Sequence, residues 1–454
     1  MPVYSVSHVE NDRICVIIVG LPARGKSLIA QKIVRYLLWL SIKAKCFNVG
    51  SYRRQLTGDS PITAEFFNPD NEDGWSVRVA AGNIATQEMM RWFAEEQGVV
   101  GIIDATNLTK QRRAELLKLC RENLIEPIFL ESWCDDLDLI LQNIADIKTT
   151  SPDYVDVDPS VATRDFLDRI SHYEKNYQTL SVDDDDLTFI KLMNVGSQII
   201  VNKIKSYLES RIVYYVMNLQ IKPRSIWLLR HGESEYNLTG QIGGDSNLSE
   251  RGCKYAKKLP EIVLTSLGEE NENVNLTVWT STLKRTQQTA SFLPYKKMEW
   301  KALDELDAGE CDGMTYEEIE QRFPEDFKAR DDNKYEYRYR GGELYRDVVI
   351  RLEPIIMELE RQENILIITH QAVLRCLYAY FMNVPQEESP WMSIPLHTLI
   401  RLEPRAYLTL FSRIKANIPA VSTYKEKGTS QLGELASGAP KSRDIIRNSL
   451  QAGL

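Results

Sequence analysis

Short apolar runs rich in Val and Ile alternate with segments of helical periodicity through the first half of the chain. The pattern predicts strands at 14–19, 99–103 and 126–132, and helices from Lys26 to about Leu40, over 109–122 and over 135–147. Alternation of this kind folds as a parallel sheet covered by helices. A stretch with several aspartates and prolines (151–160) leads into the helical segment RDFLDRISHYEKNYQTL. SVDDDD (181–186) follows, its aspartates expected in a solvated turn, before a further strand and helix. From Ile212 to Pro223 the chain is apolar and then turns, as a packed connection between domains would, so the boundary is placed near 220. Beyond it the rhythm resumes, with strands expected at 225–230, 275–282, 364–371 and 397–404 between helical segments. After about residue 412, Lys, Ser, Gly and Ala replace large apolar residues, and too few of the latter remain to offset the entropy of ordering. The expected organisation is α/β with two domains, 1–220 and 221–412, and a mobile tail over 413–454.

Length and composition agree with that division. A chain of 454 residues at 43% hydrophobic content suffices for two cores, and single cores seldom grow past about 250 to 300 residues. The formal net charge of −9 provides no broad basic face of the kind that holds nucleic acid or an anionic membrane. An anionic ligand must then find a local cationic pocket, which favours a small phosphorylated molecule. Seven scattered cysteines without a CxxC pair argue against a disulfide framework or a zinc site, and for reduced thiols in the cytoplasm. The N-terminus lacks a basic-then-apolar profile, and no apolar stretch reaches the roughly 18 residues of a membrane span. A soluble, cytoplasmic protein without nucleic-acid or membrane partners is expected.

Four of the expected strands end in polar chemistry. The first runs into GLPARGKS, a G-x-x-x-x-G-K-[ST] pattern with a strand before it and a helix after it. In that context the backbone of Gly20, Leu21, Pro22, Ala23, Arg24 and Gly25 and the helix N-terminus would cradle phosphate oxygens. Lys26 would reach the β- and γ-phosphates and Ser27 would ligate Mg²⁺. VVGIIDATN places Asp104 at the carboxyl end of another strand, where it could hold the metal through water or act as base toward a substrate hydroxyl. Arg53, Arg54, Arg78, Arg112 and Arg169 are candidates for a sugar-phosphate clamp, because guanidinium offers the fork geometry that phosphate accepts.

The other two ends carry histidines. LLRHGESEYN (228–237) closes a strand on Arg230 and His231, and ILIITHQAVLR (365–375) closes another on His370. A lone histidine at such a place is ordinarily a satisfied core residue, but the company here is unusual. Asn237 lies six residues past His231, Arg285 sits in TSTLKRTQQTA, and Glu305 in LDELDAGECDG. Together they are the parts needed to move a phosphoryl group onto nitrogen: a neutral imidazole nucleophile, cations for the phosphoryl oxygens and a carboxylic acid for the leaving oxygen. Imidazole, with an ordinary pKa of about 6.5, needs no separate base. The scheme requires no metal.

RHG, the downstream ST.KRT.QTA, the Glu of LDELDAG and THQ, in that order, resemble the histidine phosphatase superfamily, whose RHG histidine is transiently phosphorylated. With GLPARGKS, DATN and SPDY ahead of them, they resemble the 6-phosphofructo-2-kinase/fructose-2,6-bisphosphatase family over about residues 12–412. The resemblance implies a P-loop NTPase-like parallel-sheet domain followed by a histidine phosphatase (phosphoglycerate mutase-like) α/β domain, and a role in balancing glycolysis and gluconeogenesis. It implies that His231 attacks the C2 phosphorus of fructose 2,6-bisphosphate, while Glu305 protonates the departing oxygen and then activates water. Arg230, Asn237, Arg285 and His370, with backbone near Gly243, would hold the phosphoryl group. Tyr316, Arg330, Lys334, Tyr345, Gln371 and Arg375 would meet the sugar and its 6-phosphate. No cofactor is implied for this half.

For the first half the resemblance implies ATP and Mg²⁺ at Gly20–Ser27, with a second ATP contact from Asn143 to Lys148. It places fructose 6-phosphate near Arg54, Arg78, Thr106, Arg112, Arg169 and Tyr173, and Asp104 and Cys134 in the catalytic region. Taken by itself, Cys134 reads as a small buried hydrophobe. Leu28 stands where the family commonly has an aromatic residue, so the loop does not certify a fast kinase. Sugar phosphates and ATP are the implied partners, and a homodimer stays open. The alternatives are a hydrolase of the 2-phosphate with or without kinase activity, a sugar kinase with an inert second domain, and a metabolite sensor. The presence of His231, Glu305 and His370 favours the hydrolase, and the 6-phosphate cluster argues against a protein phosphatase or a mutase.

Overall fold

The computed structural model describes residues 13–58, 62–150, 153, 158–181, 183–184, 186–220, 224–268, 275–405 and 409–422. The side chain of Lys148, most of SPDY and the tail beyond Ser422 lie outside this description. The first unit runs β1 (Ile14–Val19), α1 (Lys26–Trp39), β2 (Ala44–Asn48), α2 (Val49–Thr57), α3 (Glu72–Glu95), β3 (Val100–Asp104), α4 (Lys110–Glu122), β4 (Glu126–Trp133), α5 (Leu137–Thr150), α6 (Pro159–Glu174), β5 (Phe189–Met193), β6 (Gln198–Asn202) and α7 (Tyr207–Met217). Its six-stranded sheet has the order β2-β3-β1-β4-β5-β6, parallel from β2 through β5 and antiparallel at β6. ICVIIV of β1 is buried at every position because helices cover both faces. Ile14, Val16 and Ile18 pack toward Ile29, Ile33 and Leu37 of α1, while Cys15, Ile17 and Val19 face Ala85, Met89 and Trp92 of α3.

The second unit runs β7 (Ile226–Arg230), α8 (Glu235–Thr239), α9 (Glu250–Leu267), β8 (Leu276–Thr280), α10 (Lys284–Ala290), β9 (Lys296–Glu299), α11 (Tyr316–Arg322), α12 (Pro324–Asp332), α13 (Tyr345–Arg351), α14 (Glu353–Arg361), β10 (Asn364–Thr369), α15 (Gln371–Met382), β11 (Thr398–Pro404) and β12 (Thr409–Lys415). The sheet order is β12-β11-β7-β10-β8-β9, with β7, β10, β8 and β9 parallel and β11 and β12 antiparallel. β12 corrects the expected start of the tail at 413: the sheet continues to Lys415 and the described chain to Ser422. β12 is an edge strand with mostly exposed side chains, so it lacks the apolar rhythm that marks an interior strand.

The connection between the units is packed. Leu208, Ile212, Tyr215 and Val216 of α7 belong to a core cluster that also contains residues of α1, α14 and α15. Glu360 of α14, fully buried, accepts hydrogen bonds from Lys32 (2.8 Å) and Arg35 (3.0 Å) of α1, from Arg224 (2.7 Å) and from Tyr380 (2.8 Å). Tyr36 of α1 stacks on Tyr215 with ring centroids 4.2 Å apart and donates to Glu353 at 2.7 Å. α1 thus starts in the first unit and is seated against the second.

Candidate active sites

Strands β7, β10 and β8 are neighbours, and their register pairs Arg230 with Thr369 and Thr280 with Ile368. His231, His370 and Ser281 therefore leave the sheet side by side at its carboxyl edge. The two imidazoles are buried, with centroids 5.2 Å apart. His231 Nδ1 lies 2.7 Å from the Gly232 carbonyl, which can only accept, so Nδ1 carries the proton and Nε2 the lone pair. Burial, reinforced by the Arg285 and Arg230 charges, holds His231 well below its ordinary value. His370 is held down in the same way, by burial first and then by Arg285, and its Nε2 lies 2.8 Å from Ser281 Oγ. Burial also pulls Arg230 down to about 10, opposed by the Glu305 charge.

Glu305 accepts from the N–H groups of Leu306 (2.9 Å), Gln371 (3.1 Å) and Ala372 (3.2 Å), which fix its carboxyl at the N-terminus of α15. A cleft of about 360 Å³ opens in front of it. Apart from His370, which is fully buried beside His231, every residue assigned from the sequence to the phosphatase site lines this cleft, including Asn237, Gly243, Lys334 and Gln371. The outer cations are braced from below. Arg330 donates to the hydroxyls of Tyr339 (2.8 Å) and Tyr316 (3.0 Å), Arg375 to the Met392 carbonyl (2.8 Å) and the Tyr345 hydroxyl (3.2 Å), and Lys334 lies over the Trp391 ring. Cations outnumber carboxylates along the cleft, so an acidic protein presents a locally positive pocket. Sequence reasoning missed Tyr339, Ser281 and Ser422; a tyrosine or serine without a motif carries no signal of its own.

The phosphate loop occupies the corresponding edge of the first sheet. Gly20 has φ +134°, and a Cβ there would meet the Ser132 carbonyl oxygen at 2.5 Å; Gly25 caps α1 at φ +74°. Asn143 donates to the Ala23 carbonyl (3.0 Å), and Arg24 to the carbonyl of Cys134 (2.8 Å), so Cys134 meets the loop through its backbone while burial pushes its thiol up. Lys26 donates to the Leu21 carbonyl, and burial pulls it down to about 7 against the opposing Asp104 charge. Burial raises the Asp104 carboxyl, with Ser27, Lys26 and Asn48 acting against the rise. Thr106 accepts the Gly20 N–H at 3.0 Å.

A second cluster surrounds Asp153 and Phe67. Arg53 (2.5 Å), Arg54 (3.5 Å) and Arg169 (3.6 Å) converge on the Asp153 carboxylate, Arg169 lies 3.8 Å over the Phe67 ring, and Tyr173 stands beside that ring. Arg78 braces the same turn by donating to the carbonyls of Phe67 and Asn68. Arg112 instead pairs with Glu115 of its own helix. Among the described residues there is no cluster of His, Cys, Asp and Glu that could hold a metal ion by itself, and no helix is long and apolar enough to cross a membrane.

A phosphate loop opening the first helix of a parallel-sheet unit, followed by paired histidines at the strand ends of a second, defines a two-domain α/β protein that joins a P-loop kinase fold to a histidine phosphatase fold. The family descriptions 6-phosphofructo-2-kinase and Histidine phosphatase superfamily (branch 1) match residues 3–223 and 226–416. The chain is 64% identical over 448 residues to fructose-2,6-bisphosphatase of Saccharomyces cerevisiae, covering 98% of each chain. It is 47% identical to 6-phosphofructo-2-kinase/fructose-2,6-bisphosphatase of Aquarana catesbeiana (93% of this chain, 89% of that one) and to 6-phosphofructo-2-kinase/fructose-2,6-bisphosphatase 3 of Homo sapiens (92% and 79%). The chain belongs to the 6-phosphofructo-2-kinase/fructose-2,6-bisphosphatase family.

Proposed function

We propose that the second unit hydrolyses fructose 2,6-bisphosphate at C2, through a phosphohistidine at His231, to fructose 6-phosphate and phosphate. The observation that carries this reading is the neutral His231 ring, its proton committed to the Gly232 carbonyl and its Nε2 lone pair left for a cleft lined with arginines. Nε2 attacks phosphorus as the bond to the C2 oxygen breaks, and Glu305 gives that oxygen its proton. Glu305, now a carboxylate, takes a proton from water as the water attacks the phosphohistidine, which returns the lone pair to Nε2 and releases phosphate. Arg230, Arg285 and Asn237 hold the phosphoryl oxygens. His370 assists as a donor: if the Ser281 hydroxyl donates to Nε2, the His370 proton resides on Nδ1, which has no partner among the described residues. Arg330, Lys334 and Arg375 take the 6-phosphate.

A second reading concerns the first unit: ATP-dependent formation of fructose 2,6-bisphosphate from fructose 6-phosphate. It is favoured by the position of Asp104 at the carboxyl end of β3, the parallel neighbour of β1, where its carboxyl faces Lys26 and Ser27 of the phosphate loop. Ser27 and Asp104 would hold Mg²⁺, which when bound offsets phosphate charge, while Lys26 meets the phosphates and the arginines around Asp153 meet the sugar phosphate. The cytoplasm suits both activities and the seven unpaired thiols.

The deciding experiment is an assay of the purified chain in both directions, with and without ATP. Phosphate release from fructose 2,6-bisphosphate is expected without ATP; its absence would remove the first reading. Lys26→Met is expected to eliminate any ATP-dependent synthesis while hydrolysis stays within about twofold of the parent, because the two sites lie on different sheets. Synthesis that persisted in this variant would remove the phosphate loop from the reaction.

A further inference from the structure

One peptide group sits between two imidazoles. The Gly232–Glu233 peptide offers its carbonyl to His231 Nδ1 (2.7 Å) and its N–H to His397 Nε2 (3.0 Å). A ring nitrogen that accepts carries no proton, so neutral His397 bears its hydrogen on Nδ1, which faces the Ile418 carbonyl at 3.1 Å. An unbroken chain results: Ile418 carbonyl, His397, the 232–233 peptide, His231. In a buried setting the members of such a chain polarise one another.

The rest of the turn is held by other groups. The His231 N–H donates to the Thr369 carbonyl (3.0 Å) and the Gly232 N–H to Thr289 Oγ1 (2.9 Å). The Glu233 carboxylate is engaged by Ser249, Arg251 and the Val421 N–H. The Glu233 N–H is left to His397. That residue does not line the cleft; it is buried, stacks on Tyr255 with centroids 4.5 Å apart, and holds φ +51°. A non-glycine residue in the left-handed region at the start of β11 is strained, and such strain persists where the surroundings demand one placement. Burial keeps the ring below its ordinary value and able to accept, with Arg251 and Arg230 reinforcing burial and the Ile418 carbonyl and Glu233 charge opposing it.

We infer that His397 is a positioning residue for phosphoryl transfer: by accepting the Glu233 N–H it sets the plane of the 232–233 peptide, which keeps the His231 proton on Nδ1 and makes Nε2 the attacking atom. The inference rests on His231 being the nucleophile. If the peptide tilts, Nδ1 loses its acceptor, and the other tautomer puts the hydrogen on the nitrogen that must attack.

Two substitutions separate the two hydrogen bonds of His397. His397→Gln can present an acceptor at the Nε2 position and lacks the donor to Ile418. His397→Asn keeps a donor at the Nδ1 position, lacks the acceptor, and tolerates positive φ, so backbone strain cannot account for its loss. Phosphohistidine formation is followed by rapid quench with fructose 2,6-bisphosphate carrying ³²P at C2, together with kcat, KM and melting temperature. His397→Gln is expected to label within about threefold of the parent rate, and His397→Asn about 10- to 100-fold more slowly with KM nearly unchanged. With ¹⁵N-labelled histidine, the Nδ1–H tautomer of His231 should persist in the parent and the Gln variant and be lost in the Asn variant. Labelling of His397→Asn at the parent rate, retention of its Nδ1–H signal, or equal slowing of both variants would overturn the inference. A parent that acquires no label would defeat the phosphatase reading instead, and the tautomer signal, which needs no turnover, would still decide the role of His397.

Discussion

Replacing His231 with alanine is expected to end phosphate release from C2 of fructose 2,6-bisphosphate and to leave no ³²P on the protein. The loss should reach at least about 10³-fold in kcat, the scale on which removal of a covalent nucleophile is felt when the remaining binding groups stay in place. KM should change far less, because the outer cations Arg330, Lys334 and Arg375 are anchored by tyrosines, backbone carbonyls and Trp391 rather than by His231. The pH profile gives a second measurement. His231 lies well below 6.5 through burial and the charges of Arg285 and Arg230, so the neutral nucleophile is present above that lowered value and disappears only as pH falls through it. The fall in kcat/KM caused by its protonation is therefore expected on the acid side of 6.5. An alanine variant releasing phosphate at the parent rate would show that the nucleophile lies elsewhere.

Glu360→Ala is expected to destabilise the junction between the two units by about 3 to 5 kcal/mol, the range for removing one partner of a buried charge cluster. Lys32, Arg35 and Arg224 would be left around a vacated, fully buried position. Glu360→Gln keeps the shape and isolates the charge effect. Burial would raise the Glu360 carboxyl, but Lys32, Arg224 and Arg35 outweigh it and hold the group well below its ordinary 4.5. Its stabilisation is complete above 4.5 and is lost as pH falls through the folded value. Lys32 moves the other way in stability: burial brings it to about 7, below its ordinary 10.5, so between those values the unfolded chain binds more protons and stability rises with pH. Without the carboxylate, Lys32 keeps its bond to the Gln220 carbonyl (2.7 Å) but loses its counter-charge, so its proton is held less firmly. The gap in urea midpoint between Glu360→Gln and the parent should therefore narrow from pH 6 to pH 9, and a gap independent of pH would contradict the account.

Most of the sheet framework is legible in the sequence because ICVIIV, IWLLR and NILIIT are covered on both faces and so read as continuous apolar runs. The edge strands are not. KKME of β9 is exposed at every position, and AKCFN of β2 mixes buried and exposed residues without a clean alternation. Helix α3 passes unnoticed since the first part of its buried face consists of Gly74, Ala81, Gly82 and Ala85, which give little hydrophobic contrast, and Met89, Trp92 and Phe93 follow only toward its end. The phosphatase pocket is legible where its residues stand in motifs at strand ends. His397 and Tyr339 are not, because each acts through a partner that only tertiary contact supplies: the Glu233 N–H for one, the Arg330 guanidinium for the other.

At about 1.5 Å per residue, the 14 residues of α1 form a rod of about 21 Å. Its first turn shapes the phosphate loop, while further along it Lys32, Arg35, Tyr36 and Trp39 meet Glu360, Glu353 and Tyr380. Recombinant halves cut between residues 220 and 224 would each carry an open aromatic and charged wound, with Tyr36 and Tyr215 bared on one and Glu360 and Tyr380 on the other. To study one catalytic centre in isolation, the other is better silenced by a single substitution than removed with scissors.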